Sequence, residues 1–280
     1  MPSPRSDNTG VHVSINTEPS VVNTVAAPVA TLAKDGPHVA VITMNNPPAN
    51  VLTVDLRRAL HEIFDELERD LDVRAVVIAS DQPQYTAGGD LKEDQSLTND
   101  DVRHYIEEFF SVLERIERFR TPVIAAINGG SIGGGLEFVL ACDVRIASTE
   151  AFFVAAGVNV GLIVSFWRLP RVVGLGAAKE ILLTGSRYTA AQALNWGLVT
   201  EVHEPDALLG AALAKAHRIA SRAPLSVELT KKSASEALDL TAQQGDELQI
   251  ERFLQMFRTR DHQEALDAFF GRREGNYERR

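Results

Sequence analysis

The chain has 280 residues, 45% of them hydrophobic and 24% charged, a balance typical of globular domains and foreign to disordered or collagen-like chains. Its 28 Lys and Arg against 38 Asp and Glu leave a net charge of −10 at pH 7, which argues against nucleic acid or an anionic membrane as the chief partner. Cys142 is the sole cysteine, so neither an intrachain disulfide nor a thiolate metal cluster is available, and no metal is expected.

The length predicts one large domain, with room at most for a small appendage. No apolar run approaches the roughly 20 residues of a membrane-spanning helix. Residues 1–30 are rich in Ser, Asn, Thr, Pro and Val, lack the basic start and apolar block of a signal peptide, and are expected to form a mostly disordered extension. A cytoplasmic location is the expectation that follows.

The run V-A-V-I-T-M at Val39 to Met44 reads as a buried strand and the start of the domain, ended by Asn45-Asn46-Pro47-Pro48, where proline removes ladder donors. Thr53 is the candidate N-cap of a helix with Leu56, Leu60, Ile63, Phe64 and Leu67 on one face. A strand at Val73 to Ala79 and a loop from Ser80 to Asp90 follow. After Asn99 comes a helix with an apolar stripe of Val102, Ile106, Phe109, Phe110, Leu113 and Ile116. A strand at Pro122 to Asn128 passes through Gly129 to Gly135 into a helix at Leu136 to Ala141, and Val144 to Ala147 is a further short strand. Strands this continuously apolar, alternating with helices, predict an α/β sheet covered on both faces. Beyond Gly176 the pattern is mostly helical: Ala177 to Leu183, Ala190 to Asn195, Pro205 to Ala223, Pro224 to Leu238 and Ala242 to Phe257, with a strand at Leu198 to His203 and a polar end from Glu274 expected to fray.

The densest chemical signal is G-G-S-I-G-G-G-L-E, Gly129 to Glu137. Glycines between a strand and a helix N-terminus permit close backbone approach and present unpaired N–H groups to a negatively charged oxygen. A dinucleotide fingerprint read from Gly133 fails, because Phe138 stands where its third glycine belongs. A nucleophile elbow fits Gly129 to Gly133 around Ser131, with Asp206 and His262 or His217 as partners. In a third reading the Gly134 N–H is half of an oxyanion hole and Glu137, about one turn or roughly 5 Å further along, is an acid/base. The plain alternative is that Glu137 only complements the helix dipole. Tyr85 to Lys92 also follows a buried strand with small residues beside an acid. Alone it reads as a turn with Asp90 as N-cap. Beside Gly134 it offers a second N–H, and an enolate or thioester oxyanion needs two converging donors.

Several segments occur in one order: N-x-P-x-A-N-V-L at Asn45 to Leu52, A-G-x-D-L at Ala87 to Leu91, P-V-I-A-A-I-N-G at Pro122 to Gly129 and G-G-G-L-E at Gly133 to Glu137. L-A-C-D-V-R-I-A-S at Leu140 to Ser148, L-L-T-G at Leu182 to Gly185, A-L-N-W-G-L-V at Ala193 to Val199 and the ending from Arg258 to Phe269 complete the series. In these the chain resembles the crotonase, or enoyl-CoA hydratase/isomerase, superfamily. The resemblance implies an α/β spiral of ββα units over residues 36–205 after a disordered extension over 1–35. It also implies a C-terminal helical oligomerisation region over 206–280, building a homotrimer or a dimer of trimers. It implies an acyl-CoA thioester substrate, coenzyme A entering as part of that substrate rather than as a cofactor, and a role in fatty acid metabolism. The thioester oxygen would be held by the N–H groups of Gly89 and Gly134, with Glu137 as acid/base, and coenzyme A would lie along Ala49, Val51, Ala87, Gly88, Gly89, Asp90, Leu91 and Lys92. The net charge does not oppose this, because the phosphates need only local cations such as Lys92, or Arg272 and Arg273 across a subunit contact.

The sequence departs from the family at two places. Hydratases of the family carry a second glutamate about twenty residues after the first, where this chain has Gly157, and the glycine-rich loop that follows is shortened, with Ser165, Phe166 and Trp167 in its place. Asp90, Tyr85 and Ser165 are the candidate replacements for the missing acid, and Phe152, Phe153, Phe166 and Trp167 either reshape the acyl pocket or pack the core. The first reading is therefore an enoyl-CoA hydratase/isomerase with a single glutamate. The alternative is a non-catalytic acyl-CoA binding protein.

Overall fold

A computed structural model of the protein describes residues 27–280. The chain winds as a helical ramp in which each turn contributes a strand to a large sheet, an extended segment to a second layer, and then a helix. β1 (Ala30–Asp35) and β2 (Val39–Met44) form the opening hairpin, followed by a second-layer segment at Val51 and helix α1 (Val54–Arg69). β3 (Ala75–Ser80) leads through residues 86–88 to helices α2 (Leu91–Ser96) and α3 (Val102–Arg118). β4 (Val123–Ile127) leads through β5 (Gly130–Ile132) to α4 (Gly134–Ala141). β6 (Val144–Ser148) leads through β7 (Phe152–Val154) and a 3₁₀ turn (Ala156–Val160) to α5 (Arg168–Thr184). β8 (Tyr188–Thr189), α6 (Ala190–Asn195) and β9 (Glu201–His203) close the ramp, and α7 (Leu208–Ala220), α8 (Pro224–Ala237), α9 (Ala242–Phe257) and α10 (Arg260–Gly271) follow.

The large sheet has the order β1-β2-β3-β4-β6-β9, parallel except for β1. Its period-2 alternation serves two cores. Val76 and Ile78 of β3 face Leu56, Leu60, Phe64 and Leu113 from α1 and α3, whereas Ala75 and Val77 face Ala212, Ala216 and Ala220 of α7. Burial on both faces is why these strands are continuously apolar. The second layer runs from Val51 through Gly88 and Thr86 to Ser131, then β7 and β8.

Several expectations need correction. Ala30–Asp35, placed within the disordered extension, is a strand paired with β2 along its whole length, because its carbonyl and N–H groups complete the edge of the sheet; residues 1–26 of that extension lie outside the described residues. Gly130–Ile132, read as part of a turn, is a strand, and α2 and α10 are additional helices. α5 begins at Arg168 rather than Ala177, with a break at Gly174, whose φ of 76° no helix accommodates. On α3 the buried face is Tyr105, Phe109, Val112, Leu113 and Ile116, while Val102, Ile106 and Phe110 are exposed, so the predicted stripe is rotated. The polar end docks instead of fraying: the Asp261 carboxylate, 2% exposed, accepts from the N–H groups of Glu278 and Arg279 at 2.8 and 3.0 Å, and Glu228 pairs with Arg279. No helix among the described residues is long and apolar enough to cross a membrane.

Candidate active site

Gly88–Gly89 and Gly133–Gly134 occupy equivalent places on adjacent turns of the ramp, between a second-layer segment and the helix after it. The parallel bridge between Thr86 and Ser131 sets the two junctions side by side. A methyl group on Gly88, whose φ is 83°, would lie 2.7 Å from the Gly134 nitrogen and 2.6 Å from the Gly135 nitrogen. One on Gly134 would lie 3.1 Å from the Gly89 nitrogen. Only glycine permits this approach. Among the described residues the N–H groups of Gly89 and Gly134 donate to no protein acceptor, whereas Gly88 N–H is taken by Thr86 Oγ1 at 3.1 Å. Both free donors stand at helix starts, where backbone dipoles add positive potential.

The segments expected to line coenzyme A lie side by side. Val51 bridges Gly88, Leu52 N–H donates to Gly88 O at 2.8 Å, and Ala87 N–H donates to Ala49 O at 2.9 Å. Asn50, fully buried with a φ of 48°, pins the strip by donating to Ser80 Oγ at 2.7 Å and Tyr85 O at 3.1 Å; asparagine tolerates this left-handed conformation better than most residues. Leu91 and Lys92 open α2 and are exposed. Arg273 forms an ion pair with Glu264 of its own chain at 2.5 Å.

Helix α4 is buried from Gly135 to Ala141, and Glu137 is its one charged residue, 5% exposed. Its carboxylate does not turn back to cap its own helix. Oε1 accepts from Ser165 N–H, and Oε2 accepts from Arg168 Nη1 at 3.0 Å. Arg168 in turn grips Glu117 through Nε at 2.6 Å and Nη2 at 3.0 Å, the fork geometry that suits a carboxylate. Burial works against the Arg168 charge, yet the bond to Glu117 and the fields of Glu117 and Glu137 together hold its pKa above the ordinary value. The rings of Phe110 and Trp167 flank the guanidinium at 5.9 and 5.5 Å.

Tyr85, Asp90 and Ser165, the three candidate replacements for a second acid, separate cleanly. Tyr85 is fully buried, donates to Ile78 O at 3.2 Å, and burial pushes its phenol well above the ordinary value, so it is a core residue. Asp90 caps α2 by accepting from Lys92 N–H at 2.9 Å. Ser165 alone touches Glu137. Gly157 is buried against the segment Leu162 to Val164, where an added Cβ would lie 2.8 Å from Leu162 O and 2.9 Å from Val164 Cγ2. Of the four aromatic residues, Phe153 belongs to the core, Phe152 lies against Gly130 and beneath Arg187, and Phe166 and Trp167 project outward.

The nucleophile elbow around Ser131 is not assembled. Its hydroxyl is buried without a partner among the described residues, His217 is paired to Asp35 at 2.7 Å, and the His262 ring lies against Phe257. Burial pushes the Cys142 thiol up to about 12, which excludes it as a nucleophile. No group of His, Cys, Asp and Glu among the described residues suits a metal. A groove of about 2110 Å³ runs between the core and α8–α10, and it meets this site only at Glu117, Trp167 and Arg168. Its volume does not make it the reactive centre, because the converging N–H groups and Glu137 lie elsewhere. Residues not foreseen from sequence are Arg168, Glu117, Asn50, and Tyr105 and Phe109, which pack over the two glycines.

A family model described as enoyl-CoA hydratase/isomerase matches residues 35–280. The short-chain-enoyl-CoA hydratase of Clostridium acetobutylicum is 35% identical over 247 residues, covering 86% of this chain and 94% of that protein. The (E)-benzylidenesuccinyl-CoA hydratase of Thauera aromatica is 37% identical over 241 residues, covering 84% and 94%. The crystal structure of an enoyl-CoA hydratase from Bacillus anthracis superposes with a TM-score of 0.86 at 32% identity, covering 90% of this chain and 100% of that one. With ordered motifs, ramp architecture and all three comparisons in agreement, the chain belongs to the enoyl-CoA hydratase/isomerase family of the crotonase superfamily.

Proposed function

We propose that the protein adds water to a 2-enoyl-CoA thioester, with the Gly89 and Gly134 N–H groups as oxyanion donors and Glu137 as the single acid/base. The observation that carries this reading is the pair of free backbone donors beside each other, with a buried carboxylate one helical turn beyond. Donors aimed at developing charge in a dry site stabilise the transition state more than the ground state. The names of relatives as hydratases favour water addition over a double-bond shift.

In this mechanism a water oxygen bonds to the β-carbon as Glu137 takes one of its protons. The double-bond electron pair moves onto the thioester oxygen, which the two N–H groups hold. Glu137 then returns that proton to the α-carbon and the enolate collapses, so one carboxylate balances the reaction. Coenzyme A would follow Ala49, Val51 and Ala87 to Lys92, with Lys92 near its phosphates. Exposed Ile250, Phe253, Phe257, Phe269 and Phe270 on α9 and α10 support a homotrimeric or hexameric assembly through the C-terminal helices.

The test is turnover of crotonyl-CoA and longer 2- and 3-enoyl-CoAs by the native protein and by Glu137→Gln. A loss of roughly 10²–10⁴-fold in kcat in the variant, with thioester binding retained, is expected for removal of an acid/base group. No turnover with any of these substrates, or an unaffected variant, rejects the reading; thioester binding without turnover would identify a binding protein instead.

A further inference from the structure

Ser165 combines three features that packing alone does not account for. Its φ is 60°, in the left-handed region that favours glycine. It is 1% exposed. Its Oγ has no hydrogen-bond partner among the described residues, although buried hydroxyls normally have one. Backbone strain and orphaned polar atoms are both costly and persist where function requires them.

Its surroundings give these features a direction. The Ser165 N–H donates to Glu137 Oε1, so the orphan hydroxyl sits three covalent bonds from the nitrogen that fixes the carboxylate. Leu162 N–H donates to Gly157 O at 2.8 Å and Leu169 N–H to Ser165 O at 3.0 Å, which anchors the loop at both ends. The segment from Leu162 to Val164 fills the space beside Gly157. The chain that fills the place beside Gly157 is therefore the chain that carries Ser165, whose N–H binds Glu137 and whose hydroxyl is left unpartnered.

We infer that Ser165 Oγ is the second polar group of the site and, together with Glu137, holds the water that adds to the enoyl thioester. This rests on the hydration reading above. The hydroxyl is neutral and gives up no proton. It accepts a hydrogen bond from the water proton that stays with oxygen, while Glu137 takes the other, and the water oxygen bonds to the β-carbon. Bond making and breaking remain as balanced above, with the α-proton returned by Glu137. Ser165 is then required for adding water but not for moving a proton at the α-carbon.

That difference is the test. Ser165→Gly deletes the hydroxyl and relaxes the left-handed backbone, so it does not threaten folding; Ser165→Ala deletes the hydroxyl alone. Two rates are measured for each: hydration of crotonyl-CoA, and uptake of deuterium from heavy water at the α-carbon of butyryl-CoA. Both variants are expected to lose roughly 10–100-fold in hydration kcat, the value of one hydrogen bond to a polar reacting group, while α-exchange stays within about threefold of the native rate. Hydration unchanged in Ser165→Gly overturns the assignment, as does equal loss of both rates, which would make Ser165 a positioning residue for Glu137. Native protein that exchanges the α-proton but hydrates nothing also overturns it. Native protein that does neither removes the hydration reading itself.

Discussion

Arg168 Nη1 donates to Glu137 Oε2 at 3.0 Å while its other nitrogens hold Glu117. The side chains of Glu137 and Arg168 are only 6% and 13% exposed. A buried pair of this kind adds little net stability over an apolar replacement, but removing one partner strands the other charge, at a cost of about 3–5 kcal/mol. Arg168→Met is therefore expected to lower Tm sharply, and Arg168→Lys to do so less while losing the fork to Glu117. Thermal unfolding of both variants, with Glu117→Gln as the comparison, checks this; an Arg168→Met protein as stable as the native one contradicts the pairing.

The glycines at the two junctions differ in what would obstruct a side chain. Gly88 combines a φ of 83° with backbone neighbours at 2.5 to 2.7 Å from the added Cβ. Gly134 would meet chiefly the Phe109 ring, 2.5 Å away at Cζ, a side chain that can turn. Gly88→Ala is expected to destabilise by about 1–3 kcal/mol through backbone strain and overpacking, and Gly134→Ala by less. Denaturant midpoints of the two variants give the order, and the reverse order would refute it.

Placing a glutamate at position 157 is expected to fail. A Cβ on Gly157 collides with Leu162 O at 2.8 Å and Val164 Cγ2 at 2.9 Å, so Gly157→Glu must displace the loop that supplies Ser165. The variant is expected to lose about 1–3 kcal/mol of stability and to gain no hydration rate. An increase in crotonyl-CoA turnover would show that the loop yields freely.

Docking of the chain end at Asn276 is expected to depend on pH. The Arg273 hydrogen bond first, and then the Asn276 N–H, hold the Glu264 carboxyl at about 2 instead of the usual 4.5. Because the folded value is depressed, the stabilisation is complete above pH 4.5 and is lost as the pH falls toward 2. Hydrogen exchange at Asn276, corrected for its intrinsic rate, is expected to lose protection over that window in the native protein. In Glu264→Gln protection should be low throughout and flat, and a native profile flat between those values would contradict the coupling.

Much of the ramp was legible because its signals are local. Thr53 does cap α1, with its side chain accepting from Leu56 N–H. The continuous apolar run of β3 is buried on both faces. The glycines flanking Ser131 sit at a strand-to-helix junction, as expected of residues that permit close backbone approach. The face of α3 was harder to read: Phe109, Leu113 and Ile116 of the expected stripe are buried in the core, but that core takes Tyr105 and Val112 with them and leaves Val102, Ile106 and Phe110 exposed.

What the sequence by itself determined is the alternation of strand, glycine junction and helix, and with it the place of Gly134 and Glu137 at the start of their helix, because strand and helix periods and glycine conformations are properties of neighbouring residues. The partners of Glu137 were decided by tertiary structure alone. Arg168 lies 31 residues from Glu137 and 51 from Glu117, and Ser165 lies 28 from Glu137. No periodicity marks such separations. The ramp brings them together, and only there does the N–H of buried Ser165 meet a buried carboxylate while Tyr85 and Asp90 are taken up by the core and a helix cap.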